Sequence, residues 1–181
     1  MALAVLKDAL PDYARDIRLN LDSTIAVSTL PEQRLWGTVV ATAIASRHAR
    51  TRRELEEEAS HHLGPEALAA AKAAAAVMAM NNVYYTGKRL LAEGGVTGYD
   101  DIPARLRMQV IGSHGGVDAA DFEFWCFAVS AINGCGDCLV AHERTVRDQG
   151  VSREQCHEAL RIASVVHAVA LTLESEEGPA A

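Results

Sequence analysis

Apolar residues recur at intervals of three and four along most of the chain, and the breaks in that rhythm divide it into helical segments. Leu3, Leu6, Leu10, Ile17 and Leu21 predict one amphipathic helix, or two short ones broken at Pro11, over residues 1–21. Ser28-Thr29-Leu30-Pro31-Glu32 carries a capping signal, and a helix is expected from there through Leu35-Trp36-Gly37-Thr38 to Arg47. Arg52, Arg53, Glu54, Glu56, Glu57 and Glu58 mix both charges over a solvated helix at 51–61. Gly64 is read as its end, and Pro65-Glu66 as the opening of an alanine-rich helix that passes Met78, Met80 and Tyr84 towards Leu91.

Gly94, Gly95 and Gly98 mark a loop, after which a short helix is expected over 103–111. Gly112-Ser113-His114-Gly115-Gly116 then reads as a connector, because it has neither the strand context nor the spacing of a dinucleotide-binding turn. Three helices follow, over 121–132, 135–149 and 153–174. Asn133-Gly134 separates the first two, Gly150 ends the second, and Ser152 with Gln155 forms a capping box for the third. In that last helix Ile162, Val165, Val166, Val169 and Leu173 make a buried face.

Composition agrees with this all-α reading. Apolar residues make up 49% of the chain and aromatic residues only 5%, and alanine is abundant, which suits closely packed helices better than a sheet. At 181 residues the chain fits one domain, 1–181, with a helical N-terminal half at about 1–93 and a C-terminal half at about 118–175. A weak internal echo joins the halves. At an offset of 89 residues Leu35-Trp36 falls on Phe124-Trp125, and Lys72, Ala74, Val77 and Ala79 fall on Arg161, Ala163, Val166 and Ala168, as in a duplicated helical core.

The net charge of −7 and the scattered Lys and Arg residues offer no positive track for nucleic acid. The longest uncharged stretch, residues 73–87, is shorter than the roughly 20 residues a bilayer span needs. Lys7 and Asp8 interrupt the apolar core a secretory signal would require, so a cytoplasmic location is expected. In a reducing compartment a CxxC pair is more often catalytic or metal-binding than structural.

Cys135-Gly136-Asp137-Cys138, with His142 following, is that pair. At the start of a helix the unpaired backbone N–H groups and the macrodipole favour an anion, which promotes thiolate. The spacing of three and then four residues would project both thiols and the imidazole from one stripe. His142, one turn above Cys138, could take its proton directly or through one water and return it to a leaving oxygen. Cys138 is therefore the expected attacking thiolate, and Cys135 is near enough to resolve an oxidised Cys138 by forming a disulfide. Glu123, the single charged residue within residues 122–129, is a candidate to fix the tautomer of His142 if the chain reverses at Asn133-Gly134. Its simpler role would be to interact with its own helix dipole.

Glu123, the CxxC pair and His142 together resemble the signature of alkyl hydroperoxidase D, AhpD, in the carboxymuconolactone decarboxylase-like superfamily. Leu6-Lys7-Asp8-Ala9-Leu10-Pro11-Asp12-Tyr13-Ala14, Leu35-Trp36-Gly37-Thr38, Met78-Ala79-Met80-Asn81-Asn82-Val83-Tyr84-Tyr85, Leu106-Arg107-Met108 and Ser130-Ala131-Ile132-Asn133-Gly134-Cys135 resemble that family too, in order along the chain. The resemblance implies an all-helical homotrimer that reduces organic hydroperoxides. It implies oxidation of Cys138 to sulfenic acid, closure of a Cys135-Cys138 disulfide, and a proton relay through Glu123 and His142. It implies no bound cofactor. Electrons would come from dihydrolipoamide on a lipoylated 2-oxoacid dehydrogenase component, and a peroxiredoxin of the AhpC type would be a further partner. One position departs from the pattern: the family has a relay histidine directly before the second cysteine, where this chain has Asp137. A carboxylate there favours the helix N-terminus but disfavours the neighbouring thiolate, and the pH profile is expected to shift accordingly.

Two other readings use the same residues. Cys135, Cys138, His142 and Glu123 could supply four ligands to zinc, although ligands on one helical stripe seldom converge on a tetrahedral ion. A redox-sensing module would use the disulfide to change a partner's binding rather than to turn over. Cys126 and Cys156 read as small buried apolar residues, and Met78 and Met80 as core fillers. His48, His61 and His62 read as solvated, and His167 as a satisfied core residue.

Overall fold

In this computed structural model the described residues are 2–99 and 101–177, so Met1, Asp100 and residues 178–181 of the expected 1–181 domain lie outside them. Among the described residues all regular structure is helical. In order the helices are α1 (Ala2–Ala9), α2 (Arg15–Ala26), α3 (Glu32–Ala45), α4 (Ala49–Ala59), α5 (Pro65–Glu93), α6 (Gln109–Ser113), α7 (Ala119–Ile132), α8 (Gly136–Asp148) and α9 (Arg153–Glu176). Short 3-10 turns cover Asp12–Ala14 and His114–Gly116.

α7 is the centre of the packing. It touches α3, α5, α8 and α9, and every residue from Ala120 to Ser130 is buried. A helix apolar on all sides has no solvent face to offer, which is why its segment reads as Phe-Glu-Phe-Trp-Cys-Phe-Ala-Val rather than as an amphipathic stripe. α3 lies against it with Trp36, Val39, Val40 and Ala43 buried. α9 is long and apolar enough to match a membrane span by composition alone. Ile162, Val166, Val169 and Leu173 nevertheless turn one face of it into the core, against α2, α3 and α7, and Val165 is half-buried beside them.

Helix starts repeat along the chain, at offsets of 87 or 88 residues rather than the 89 of the sequence echo. α3, α4 and α5 start at residues 32, 49 and 65, and α7, α8 and α9 at 119, 136 and 153. α3 packs on α5 as α7 packs on α9, and α3 and α7 pack on each other. Their contact is close because Gly37 leaves room for Trp125, whose Nε1 donates to the Arg34 carbonyl at 3.1 Å. A Cβ at residue 37 would overlap the indole. Alanine gains about 1 kcal/mol over glycine in a helix interior, but forcing a fully buried tryptophan aside costs about 3 kcal/mol or more. Gly37→Ala is thus expected to destabilise the protein by about 2 kcal/mol or more, measurable by urea unfolding.

Several boundaries differ from the sequence reading. α2 continues to Ala26. Ser28 and Thr29 do not cap α3. Pro31 takes the N-cap position, and the hydroxyls of Ser28 and Thr29 donate to Glu158 of α9, Ser28 at 2.8 Å. Gly64 opens α5 rather than closing α4, because α4 ends at Ala59 and residues 60–63 tighten its last turn through backbone bonds. The short helix forms at Gln109–Ser113, not 103–111. The capping box forms as read: Gln155 N–H donates to Ser152 Oγ at 3.1 Å and Ser152 N–H to Gln155 Oε1 at 3.0 Å.

Candidate active site

The site is built where α7 hands over to α8. Gly134 has φ +70°, Gly134 N–H donates to the Ala131 carbonyl, and Cys135 N–H donates to the Ser130 carbonyl. These paired bonds are a Schellman motif, which needs the left-handed residue that glycine provides without steric cost. The turn folds α8 back along α7, so Glu123 and His142 meet although 19 residues separate them. Asn133 Nδ2 donates to Asn82 Oδ1 at 2.9 Å, and Asn82 Nδ2 donates to Ser130 Oγ at 3.0 Å, so α5 braces the same turn.

Cys135 and Cys138 are joined in a disulfide with their Cα atoms 5.3 Å apart. Their positions are not equivalent. The sequence reading put both in the first turn of α8, but Cys135 is the N-cap, with extended backbone, and its Sγ accepts the Cys138 N–H at 3.3 Å. Sulfur here takes the place of the usual capping oxygen, because the Schellman turn leaves Cys135 one residue short of helical conformation. Cys138 lies within the helix and lines a cavity of about 340 Å³ together with His142, Asp137, Ala141, Asn81, Tyr85, Met108 and Ile111. Cys135 is 1% exposed and is not part of that wall.

His142 is held from both ends. Its Nδ1 is 2.6 Å from Glu123 Oε2, and its Nε2 is 3.2 Å from Met78 Sδ. Glu123 is 6% exposed, and a carboxylate that deep needs a polar partner. The imidazole supplies it, so Glu123 serves more than its own helix dipole. No hydrogen bond joins His142 to Cys138 in this disulfide form, although the two stand one turn apart on α8 and share the cavity. Asp137 is exposed at the rim of the cavity.

Among the described residues no group of three or more His, Cys, Asp or Glu side chains is arranged to hold a metal ion. Cys126 and Cys156 are both buried and free. Burial, with the Glu123 carboxylate adding to it, pushes the Cys126 thiol far up, and burial followed by Glu143 raises that of Cys156. Neither is poised to react.

Three readings of single residues change. Met78 is not only a core filler, since its sulfur faces the catalytic candidate His142 and also accepts from Ser130 Oγ at 3.6 Å. His48 is buried, 3% exposed, and caps α4 by accepting the Thr51 N–H at Nδ1, while its Nε2 lies 3.1 Å from Glu177. His167 is exposed instead of buried, because it falls on the outward side of α9. The sequence also offers Asn81, Asn82, Tyr84 and Tyr85 as residues to line a substrate channel or an interface, and of these Asn81 and Tyr85 line the cavity. A signal was present: Met78, Asn81, Asn82 and Tyr85 follow helical spacing, so polar groups and a thioether occupy one face of a helix otherwise rich in alanine.

Residues 98–175 match the carboxymuconolactone decarboxylase family. The chain is 58% identical over 176 residues to the alkyl hydroperoxide reductase AhpD of Streptomyces coelicolor, covering 97% of each chain. It is 53% identical over 181 residues to the AhpD of Nocardia farcinica, covering 100% of this chain and 98% of that one. With the AhpD of Rhodospirillum centenum the identity is 49% over 176 residues, covering 97% and 92%. Full-length likeness at these identities, on an all-helical fold whose paired cysteines stand beside a linked glutamate and histidine, means that the chain belongs to the AhpD family of the carboxymuconolactone decarboxylase-like superfamily.

Proposed function

We propose that this protein is a thiol-dependent peroxidase, an alkyl hydroperoxide reductase that uses Cys138 as its peroxide-attacking thiolate. The observation that carries the reading is that Cys138 and His142 line one cavity while His142 is held at its other nitrogen by a buried carboxylate. The names of the relatives support the reaction class.

In the reduced protein the Cys138 thiolate attacks the terminal oxygen of a hydroperoxide. An S–O bond forms, the O–O bond breaks, and the alkyl-bearing oxygen leaves with the electron pair and takes a proton to become an alcohol. His142, with Nδ1–H given to Glu123, is the group that can deliver that proton from Nε2 once it turns from Met78. Cys135 then attacks the sulfenic sulfur of Cys138, an S–S bond forms, the S–O bond breaks, and the hydroxyl departs as water with the proton that the Cys135 thiol gives up. The pairing of Cys135 with Cys138 supports this closing step. A dihydrolipoyl dithiol reopens the disulfide by exchange, yielding the cyclic lipoyl disulfide. Asp137 lines the cavity at the position where the family has its relay histidine.

The family resemblance supplies the wider setting of this proposal: a cytoplasmic homotrimer, re-reduced by a lipoylated 2-oxoacid dehydrogenase component and able to reduce an AhpC-type peroxiredoxin. The test is steady-state consumption of cumene hydroperoxide with dihydrolipoamide as the electron donor. Many turnovers per subunit are expected. Consumption of one equivalent followed by arrest would instead identify a sensor.

A further inference from the structure

Asn81 and Asn82 are adjacent on α5 and both are buried, at 5% and 1% exposure, but the fold uses only one of them. Asn82 is fully engaged, donating to Ser130 Oγ at 3.0 Å and accepting from Asn133 Nδ2 at 2.9 Å. Asn81 has no such role: its Oδ1 is buried without a hydrogen-bond partner, and its side chain lines the cavity that Cys138 and His142 share. A buried amide left unpaired is destabilising, and most native proteins avoid it. On this alanine-rich helix an apolar residue would serve the fold better.

The surroundings define what the amide could meet. Cys138 and His142 stand on the α8 side of the cavity, and Met108, the N-cap of α6, and Ile111 within that helix contribute apolar wall. A ligand that fits has a small polar end carrying both donor and acceptor, attached to an organic arm. An organic hydroperoxide has that form, with an O–H donor at its terminal oxygen and an acceptor oxygen next to the alkyl group. A neutral amide can meet such an oxygen through Nδ2, which donates, and adds no negative charge beside a thiolate.

We propose that Asn81 is a substrate-binding catalytic residue whose Nδ2–H₂ group donates to the alkyl-bearing oxygen of the hydroperoxide as that oxygen leaves. The inference rests on the peroxidase reading above. Cys138 sulfur supplies the electron pair, the S–O bond forms at the terminal oxygen, the O–O bond breaks, and charge gathers on the leaving oxygen until it is protonated. A donor fixed at the place where charge develops contributes most in the transition state. Met108 and Ile111 would receive the organic arm.

The experiment separates the two half-reactions in Asn81→Leu and Asn81→Asp. Reduced protein is mixed with cumene hydroperoxide, and formation of the Cys135-Cys138 disulfide is followed by quenched-flow mass spectrometry. Oxidised protein is separately reduced with dithiothreitol. Oxidation is expected to slow roughly 100-fold in Asn81→Leu and further in Asn81→Asp, where a carboxylate faces the leaving oxygen. Reduction of the disulfide by dithiothreitol should stay within about twofold in Asn81→Leu, and its Tm should rise by about 2–4 °C because an unpaired amide has been removed. Oxidation of Asn81→Leu at the wild-type rate overturns the assignment, and so does equal slowing of both half-reactions with a lowered Tm, which would mark a structural role. Failure of the peroxidase reading looks different: the wild-type reduced protein would itself resist the hydroperoxide, and the inference would fall with it.

Discussion

Cys138→Ser is expected to lose peroxide turnover by at least about 10³-fold, whereas Cys135→Ser should complete one oxidation and stop. A serine hydroxyl has almost no anion near neutral pH and cannot be carried to a sulfenic acid, so the first step disappears with the Cys138 sulfur. Without Cys135 the first step survives, but nothing closes the disulfide, and the sulfenic acid at Cys138 should be trapped by dimedone and located by mass spectrometry. The pair of variants matters because local electrostatics alone would have chosen the other cysteine. Cys135 is the N-cap and receives the Cys138 N–H, which are conditions that favour thiolate. Access argues the opposite way, since Cys138 faces the cavity and Cys135 does not. An N-cap cysteine withheld from peroxide suits a resolving and exchange thiol. Dimedone labelling of Cys135 in Cys138→Ser, with an inert Cys135→Ser, would reverse the assignment.

Glu123→Gln is expected to lower the rate of disulfide formation by about 10²–10³-fold with little change in fold. The side chains are nearly isosteric, and both can hydrogen-bond the imidazole across the 2.6 Å contact. They differ in what they ask of it. The carboxylate accepts Nδ1–H, leaving Nε2 to exchange the proton, and it stabilises the cation that forms during transfer. A glutamine amide can donate to Nδ1 instead, which puts the neutral imidazole in the wrong tautomer and withdraws the charge. The measurement is the rate of oxidation of reduced protein by hydroperoxide, with circular dichroism as the control on folding. Activity within threefold of wild type would make the Glu123–His142 pair a packing feature.

Much of this molecule could be read from local sequence. α5 starts at Pro65 and α9 after Ser152, because proline at the first helical position and a Ser/Gln capping box act within one turn and need no tertiary partner. Asn133-Gly134 stops α7 for the same kind of reason. Local signals failed where a distant residue competed for them. Ser28 and Thr29 look like caps for α3, but Glu158 takes their hydroxyls. His48 looks solvated among charged neighbours, yet it is enclosed where the start of α4 meets the end of α9. The residues after Gly98 held apolar positions suited to a helix, but regular structure begins only at Gln109.

The sequence by itself determined the helices, the turn before Cys135, and the presence of two thiols and an imidazole close enough to act together, because each depends on spacing within a few residues. Tertiary structure decided how those groups are divided in use. It buried Glu123 against His142, set Met78 sulfur on the other imidazole nitrogen, turned Cys138 to the cavity and Cys135 away from it, and left Asn81 unpaired beside a fully bonded Asn82. Those outcomes follow from which faces of α5, α7 and α8 meet, and that is fixed by burial of apolar surface across the whole core, which no local spacing records.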